Sequence, residues 1–463
     1  MAVVTVRNPG TAEVLGEVPT TGAAAVAATV EWALRGQRAM VATPAQERAD
    51  LLRRVAGLIE AERDGLARLL AAENGTPIQR TRAEVDAAVR IFRAAAGEAT
   101  RLFGRRIPLD GVPGPQRHRA VTVHEPLGVV AALVPFNHPV EQHAQRAAAA
   151  LAAGNAVVAQ PPARCPLAVL RIAELVEQAG VPRYAHQVVI GGAEVSRRLA
   201  ELPGVAAVTL SGSTAAGREI ARRAAGTLKR VHLEPGGDDA LIVCADADVE
   251  EAARAVVLGR FTRGNGQTSR AVQRVYVQAA ARDAFVDALV AWTGKLSVGD
   301  QLLESTDVGP LIAEEAAGRV LDAVRTLVAD GARLAAGGIR NRAFVDPTVL
   351  VGVPAGSPAL AEEVFGPVAP VARFDDLDEA VRLVNASPYR AHAAVFTRDV
   401  SRALGIARGL DVGGVVVNGS TALRAGHLPS GGTTDTGGHR EGVHDTVLGL
   451  TRQKTVVVME DFR

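Results

Sequence analysis

Four short stretches hold residue types that can do chemistry, beginning with "GNGQTSRAVQR" at residues 264–274. It has the form of a catalytic loop running into a strand, with Ser269 where a reactive thiol would be expected. A serine alcohol is a weak nucleophile without an adjacent base, whereas a cysteine is partly thiolate near neutral pH. No Gly-x-Ser-x-Gly elbow surrounds it and no motif histidine stands near. Alone, Ser269 reads as a loop serine. In "HLEPGGDD", Glu234 ends an apolar run beside a Pro-Gly-Gly turn, which suits a general base or a solvated turn glutamate. In "VPFNHP", Asn137 lies between Phe136 and His138, with Pro135 and Pro139 stiffening the chain. A rigid amide suits an oxyanion hole, although asparagine is also common in Pro-rich turns.

The fourth stretch, "SGSTAAGREI", sets Gly212 and Ser213 at a strand-to-helix turn and Gly217 within the first helical turns. Backbone N–H groups and the dipole at such a start can hold a phosphate. An ordinary N-cap would use the same residues. No Lys-Ser/Thr pair follows, so it is not a Walker loop, and no Gly-x-Gly-x-x-Gly follows the first parallel strand. His138 and His143 are five apart, as are His439 and His444, which misses the i, i+4 spacing of a helical zinc pair. No metal is expected.

These loops need elements to position them. "RNPGTAEVLGEVPT" alternates like an early hairpin, and a helical spacing of leucines runs from Gln46 to Glu73. Asn74-Gly75 is a left-handed helix stop, and "RAEVDAAVRIFRAAAGEATRLFG" is a further amphipathic helix. "AVTVHEPLGVVAALVPFNHP" reads as two strands split at Pro126-Leu127-Gly128. Short apolar runs then recur at Ala156–Ala159, Gln187–Ile190 and Val205–Leu210, with helical segments between them. That alternation implies an α/β fold with parallel, doubly wound sheets. A second series starts near Gly236 with "ALIVCA", "RVYVQ", "AFVDPTVLVGV" and "APVARF", with helices such as "DVEEAARAVVLGRF" between them. The tail "KTVVVMEDFR" is a strand with a charged end, of the kind that pairs with another sheet.

At 463 residues the chain is too long for one core and implies two or three domains. Lys plus Arg is 51 and Asp plus Glu is 50, which gives no electrostatic reason to expect nucleic acid or an anionic membrane. The N-terminus lacks the pattern of a signal peptide, and no apolar run reaches membrane-span length. Two cysteines, Cys165 and Cys244, fit a reducing cytoplasm.

In order and spacing these segments resemble the aldehyde dehydrogenase superfamily over essentially the whole chain. "PFNHP" is similar to the family's Pro-Trp/Phe-Asn-x-Pro, and "ALAAGNAVVAQPPARCPL" to its Ala-Gly-Asn-x-Val-Val-x-Lys-Pro segment. "LSGSTAAGREI" resembles the pyrophosphate segment, "LEPGGDD" resembles Leu-Glu-Leu-Gly-Gly-Lys, and "GQTSRAVQRVYV" resembles Gly-Gln-x-Cys-x-Ala-x-x-Arg-x-x-Val. "EEVFGPV" matches intact, and "LPSGGTTDTGGHREG" resembles the closing Pro-Phe-Gly-Gly segment.

The resemblance implies Ser269 at the nucleophile position, Glu234 as general base and Asn137 as oxyanion donor. It implies NAD or NADP held by Val134, Pro135, Phe136, Gln160, Pro161, Arg164, Ser211, Gly212, Ser213, Glu234, Pro235, Gly236, Glu363 and Phe365. Substrate contacts fall on Asn137, Gln142, Arg146, Thr268 and Ser430. The implied layout is a Rossmann-like cofactor domain at 1–119 and 139–235 and a catalytic domain at 236–428. A small β oligomerisation arm and C-terminal segment take 120–138 and 429–463. A homodimer or homotetramer acting on a small aldehyde is implied, without nucleic acid or membrane partners.

The departures are specific. Ser269 replaces the cysteine, Gln160 the lysine at the adenosine ribose, Asp238 the lysine after Gly-Gly, and Ser430 an aromatic. Arg164 stands where NAD-preferring members often carry Glu and suits a 2′-phosphate. Three explanations of Ser269 stay open. It is a Cys→Ser substitution made to trap a complex in a working dehydrogenase, or it marks a natural non-oxidising binding or scaffold protein. In the third, Glu234 activates Ser269 for ester hydrolysis. Arg146 either meets an anionic substrate group or makes a structural ion pair. The polar run His138, Glu141, Gln142 and His143 after Asn137 suggests a small polar or anionic aldehyde over a fatty one.

Overall fold

In the computed structural model, the described residues are 2–354, 357, 360 and 362–459. The early apolar runs assemble a parallel sheet. Its order is His186–Val188, Ala156–Gln160, Val129–Leu133, Val205–Gly212 and Arg230–Pro235. Every neighbouring pair in it is parallel. Val129–Leu133 is buried at every position, as an inner strand covered by helices on both faces must be.

The later runs form a seven-stranded sheet ordered Arg333–Ala336, Thr348–Val351, Val368–Phe374, Val272–Gln278, Asp239–Val243, His392–Phe396 and Gly414–Val417. Its pairs are parallel except the edge pair of Arg333–Ala336 with Thr348–Val351. The fold is therefore α/β with doubly wound parallel sheets. A third, antiparallel sheet joins Thr451–Val458, Arg119–Pro126 and Arg106–Ile107. The tail strand is thus paired within its own chain, and the charged end from residue 460 lies outside the described residues. Pro126-Leu127-Gly128 divides two sheets, with Gly128 at φ 137° making the turn.

Three expectations differ in detail. The helix expected over Gln46 to Glu73 is two, Ala45–Ala61 and Arg63–Asn74, broken at Glu62 with φ −100° and ψ 13°. There the Glu62 carboxylate accepts from Arg171 Nε at 2.8 Å, tying the break to helix Leu167–Gln178. "AFVDPTVLVGV" splits at Asp346-Pro347 into Phe344–Val345 and Thr348–Val351, because proline cannot donate to a ladder. "DVEEAARAVVLGRF" is α-helical only over Val249–Val256 and widens into a π-helix at Val257–Thr262. Among the described residues no helix is long and apolar enough to cross a membrane.

Candidate active site

The strand Val129–Leu133 delivers the chain into a turn and then into helix Pro139–Ala152. The turn is clamped from several sides. Val134 N–H donates to Gln160 O at 3.0 Å, and Asn74 Nδ2 donates to Phe136 O. Glu84 accepts from the N–H groups of Val140 at 2.9 Å and Glu141 at 3.2 Å, and lies 3.3 Å from His138 Nδ1. A carboxylate at a helix start is favoured by orphan donors and dipole together. The Phe136 ring meets Phe365 edge-on at 5.8 Å. Asn137 is thereby held over the next loop.

That loop carries Ser269. Gly264, Asn265 and Gly266 all have positive φ, at 55°, 54° and 75°. Asn265 anchors them by donating to the carbonyls of Gly75 and Pro310, both at 2.9 Å. The Glu234 turn presses against the same loop, since a Cβ on Gly237 would lie 2.0 Å from Ser269 O. Gly237→Ala should therefore force the loop to move, at about 1–3 kcal/mol of stability. A urea midpoint equal to that of the unaltered chain would refute this contact.

Pro135, Asn137, Gln142, Ser211, Glu234, Gly236, Thr268 and Ser269 line one narrow pocket. Distant segments thus bring together Asn137, Glu234 and Ser269, the residues expected as oxyanion donor, general base and nucleophile. Arg146 lies behind them, donating from Nη2 to Ser211 Oγ at 2.6 Å and reaching Glu234 at 3.9 Å and Glu441 at 3.7 Å. With 4% exposure it is a buried ion-pair partner. Glu441 also accepts from Arg270 at 2.8 Å and Arg424 at 3.2 Å. Burial and the adjacent Glu441 hold the Glu234 pKa well above the usual carboxylate range. Burial also pushes Glu441 up. The hydrogen bond from Glu234 and the guanidiniums of Arg270, Arg424 and Arg146 outweigh it and bring Glu441 well below that range. The two neighbouring carboxyls are thus driven apart, Glu234 upward by burial and Glu441, and Glu441 downward by Glu234 and its guanidiniums.

Ser430 is not in this pocket. It lines an adjoining cavity of about 630 Å³ with His392, Thr421 and Glu141, and the two spaces share Arg270, Arg424 and Glu441. Glu441, Arg270, Arg424 and His392 were missed in the sequence as site residues. Glu441 stands inside the quoted "GGHREG" and Arg270 directly follows Ser269, so position alone could have flagged both.

The dinucleotide positions divide in two. Ser213 caps helix Thr214–Ala225 by accepting from Ala216 N–H at 3.2 Å. Gly236 N–H donates to Gly212 O at 2.8 Å, which seats Pro235 beside that helix start. A Cβ on Gly236 would lie 2.7 Å from the Tyr389 ring. Glu363 Oε1 is buried with no partner among the described residues, and burial, opposed by Arg260, raises the carboxyl to about 8. An unpartnered acceptor here fits a ribose hydroxyl. The other end fits less well. Gln160 Nε2 donates to Gly191 O at 2.9 Å and Gly192 O at 3.0 Å, and its Oε1 accepts from Ser196 at 2.8 Å. Pro161 is buried beside it, and Arg164 is exposed, 3.8 Å from Glu315. Asp238 is structural, held by Arg274 at 2.8 Å and Ser387 at 2.9 Å.

The aldehyde dehydrogenase family model matches residues 2–456. A 3-sulfolactaldehyde dehydrogenase of Priestia aryabhattai is 39% identical over 413 residues, covering 89% of this chain and 86% of its own. A succinate-semialdehyde dehydrogenase (NADP(+)) of Escherichia coli strain K12 is 35% identical over 443 residues, covering 94% and 90%. The NADP-dependent glyceraldehyde-3-phosphate dehydrogenase of Bacillus halodurans, solved with NADP, superposes with a TM-score of 0.96. It is 33% identical and covers 99% of this chain and 96% of its own.

Proposed function

The chain belongs to the aldehyde dehydrogenase family, and from that premise we propose that its pocket serves oxidation of a small anionic aldehyde to the carboxylic acid. NAD or NADP, held by Ser213, Gly236, Glu363 and their neighbours, supplies the hydride acceptor when bound. Asn137 donates to the oxyanion, and Glu234 is the base for the hydrolytic water once it sheds its proton. Ser269 holds the place of the nucleophile. Ser269 and Glu234 line the same pocket, and the raised pKa of Glu234 disfavours the base form that would activate an alcohol, so the Ser269 form turns over poorly.

The observation that carries the substrate class is the guanidinium pair on the wall shared by pocket and cavity. Arg424 Nε is buried there with no hydrogen-bond partner among the described residues, Glu141 Oε1 standing off at 4.0 Å. A buried cation with an open donor is stabilised by an incoming anion. The relatives named for 3-sulfolactaldehyde and succinate semialdehyde support the same class, since both compounds carry an acid group. The test is titration of the unaltered chain with succinate semialdehyde and with butanal. The first should bind more tightly, and Arg424→Met should weaken it by about tenfold or more while leaving butanal alone. Equal binding of the two, or tighter binding of longer alkyl aldehydes, would sink the anionic reading.

A second reading, a natural binding protein that does not oxidise, is favoured by Gln160, whose amide is used up inside the protein. The exposed valines of the edge strand Thr451–Val458, 41% to 55% accessible at Val456, Val457 and Val458, support assembly as a homodimer or homotetramer.

A further inference from the structure

The wider cavity holds a second set of groups that neither the pocket nor the redox reaction uses. Ser430 Oγ lies 2.9 Å from His392 Nε2. On the far side of the ring, His392 Nδ1 lies 4.0 Å from Asp239 Oδ2, and both atoms are buried with no hydrogen-bond partner among the described residues. Asp239 opens one strand of the seven-stranded sheet and His392 opens its parallel neighbour, in the register Ala240 to Ala393. Asp239 Oδ1 accepts from His392 N–H at 3.1 Å, which locks the two strand starts together. Ser430 is fixed by two backbone bonds with Glu441, at 2.7 and 2.6 Å. We propose that Ser430, His392 and Asp239 form a nucleophile, base and orienting acid for hydrolysis of small esters, a reaction that needs no dinucleotide.

The geometry meets the requirements for an activated serine. Nucleophile and base are at hydrogen-bond distance and a third group faces the other ring nitrogen, with the looseness common in a site without substrate. Ser430 and His392 open onto the cavity of about 630 Å³, which can admit a small ester. Ser430 Oγ bonds to the ester carbonyl carbon while its proton passes to His392 Nε2. The tetrahedral oxygen develops its charge in a cavity walled by Arg270 and Arg424. The C–O bond then breaks, His392 returns the proton to the departing alkoxide, and an acyl-Ser430 remains. Water repeats the sequence and releases the acid. The balance is ester plus water giving acid plus alcohol, with no electrons transferred.

The tautomer sets the pH dependence. His392 acts as a base when its proton sits on Nδ1 against an ionised Asp239. Burial, opposed by Thr421, the His392 N–H and Arg270, raises Asp239 to about 8, with Asp238 adding to the rise. Burial together with Arg270, Arg424 and Arg440, opposed by Glu441, lowers His392 to about 3. Ester hydrolysis should therefore climb as pH rises through about 8.

The experiment uses the unaltered chain without NAD(P)+. p-Nitrophenyl acetate is supplied at pH 8.5, and in parallel a fluorophosphonate is added and the labelled peptide mapped by mass spectrometry. The expected result is phosphonylation of Ser430, with hydrolysis falling at least tenfold in Ser430→Ala of unchanged melting temperature. Label on Ser269 would overturn the proposal and support Glu234-activated Ser269 instead. Absence of label, or an undiminished rate in Ser430→Ala, would overturn it as well. None of these outcomes bears on aldehyde oxidation, which is read separately by NAD(P)+ reduction.

Discussion

Ser269→Cys is expected to raise NAD(P)+ reduction with small anionic aldehydes by about 10³-fold or more over the unaltered chain. The rest of the pocket is assembled. Asn137 is held by the Glu84 and Asn74 contacts on either side of it, and Glu363 keeps an open buried oxygen. What is missing is a group that reacts without a base. An alcohol needs its proton removed during attack, and burial together with Glu441 disfavours the base form of Glu234 that would take it. A thiol ionises more readily and supplies its own nucleophile. The assay follows NAD(P)H absorbance across an aldehyde panel for both proteins. A strong rate from the cysteine form would mean an intact pocket with a trapped or recently lost nucleophile. Silence from both, with equal melting temperatures, would move the cause to the cofactor end. The filled hydrogen bonds of Gln160 would then be the first suspect.

Much of this was legible in the residues because the pattern is local. β-branched runs between helical segments fixed both parallel sheets, and the Pro-Leu-Gly break separated the strands of two different sheets. Asn137, Glu234 and Ser269 could each be a bland turn residue in isolation, and their order along the chain joined them. The electrostatics were not legible. Arg270, Arg424 and Glu441 meet only after the chain has returned from the second sheet, Glu441 lying 171 residues beyond Arg270. Arg146 could be weighed as an ion-pair residue, but its partners could not be named. The pairing of Asp239 with His392 depends on strand register in a sheet where Asp239–Val243 and His392–Phe396 are far apart in sequence and adjacent in space.

The same charge cluster gives the other large effect. Glu441→Gln keeps shape but removes the anion shared by Arg270, Arg424 and Arg146 at 2.8, 3.2 and 3.7 Å. Breaking a buried ion pair from one side leaves an uncompensated charge, at a cost of about 3–5 kcal/mol. The urea midpoint should drop accordingly. The chemistry should move in a separate direction. In the native protein Glu234 holds its proton because burial and Glu441 both disfavour its charge, so its base form appears only as pH rises. With glutamine at 441 the like charge is gone and the guanidiniums remain, so Glu234 ionises at lower pH. In a Ser269→Cys background, the pH profile of acyl-enzyme hydrolysis should therefore shift to the acid side. A destabilised protein with an unmoved profile would show that Glu441 braces the arginines without controlling the proton on Glu234. A shifted profile at unchanged stability would show the reverse. Both changes together are what a single carboxylate serving three guanidiniums and one acid must produce.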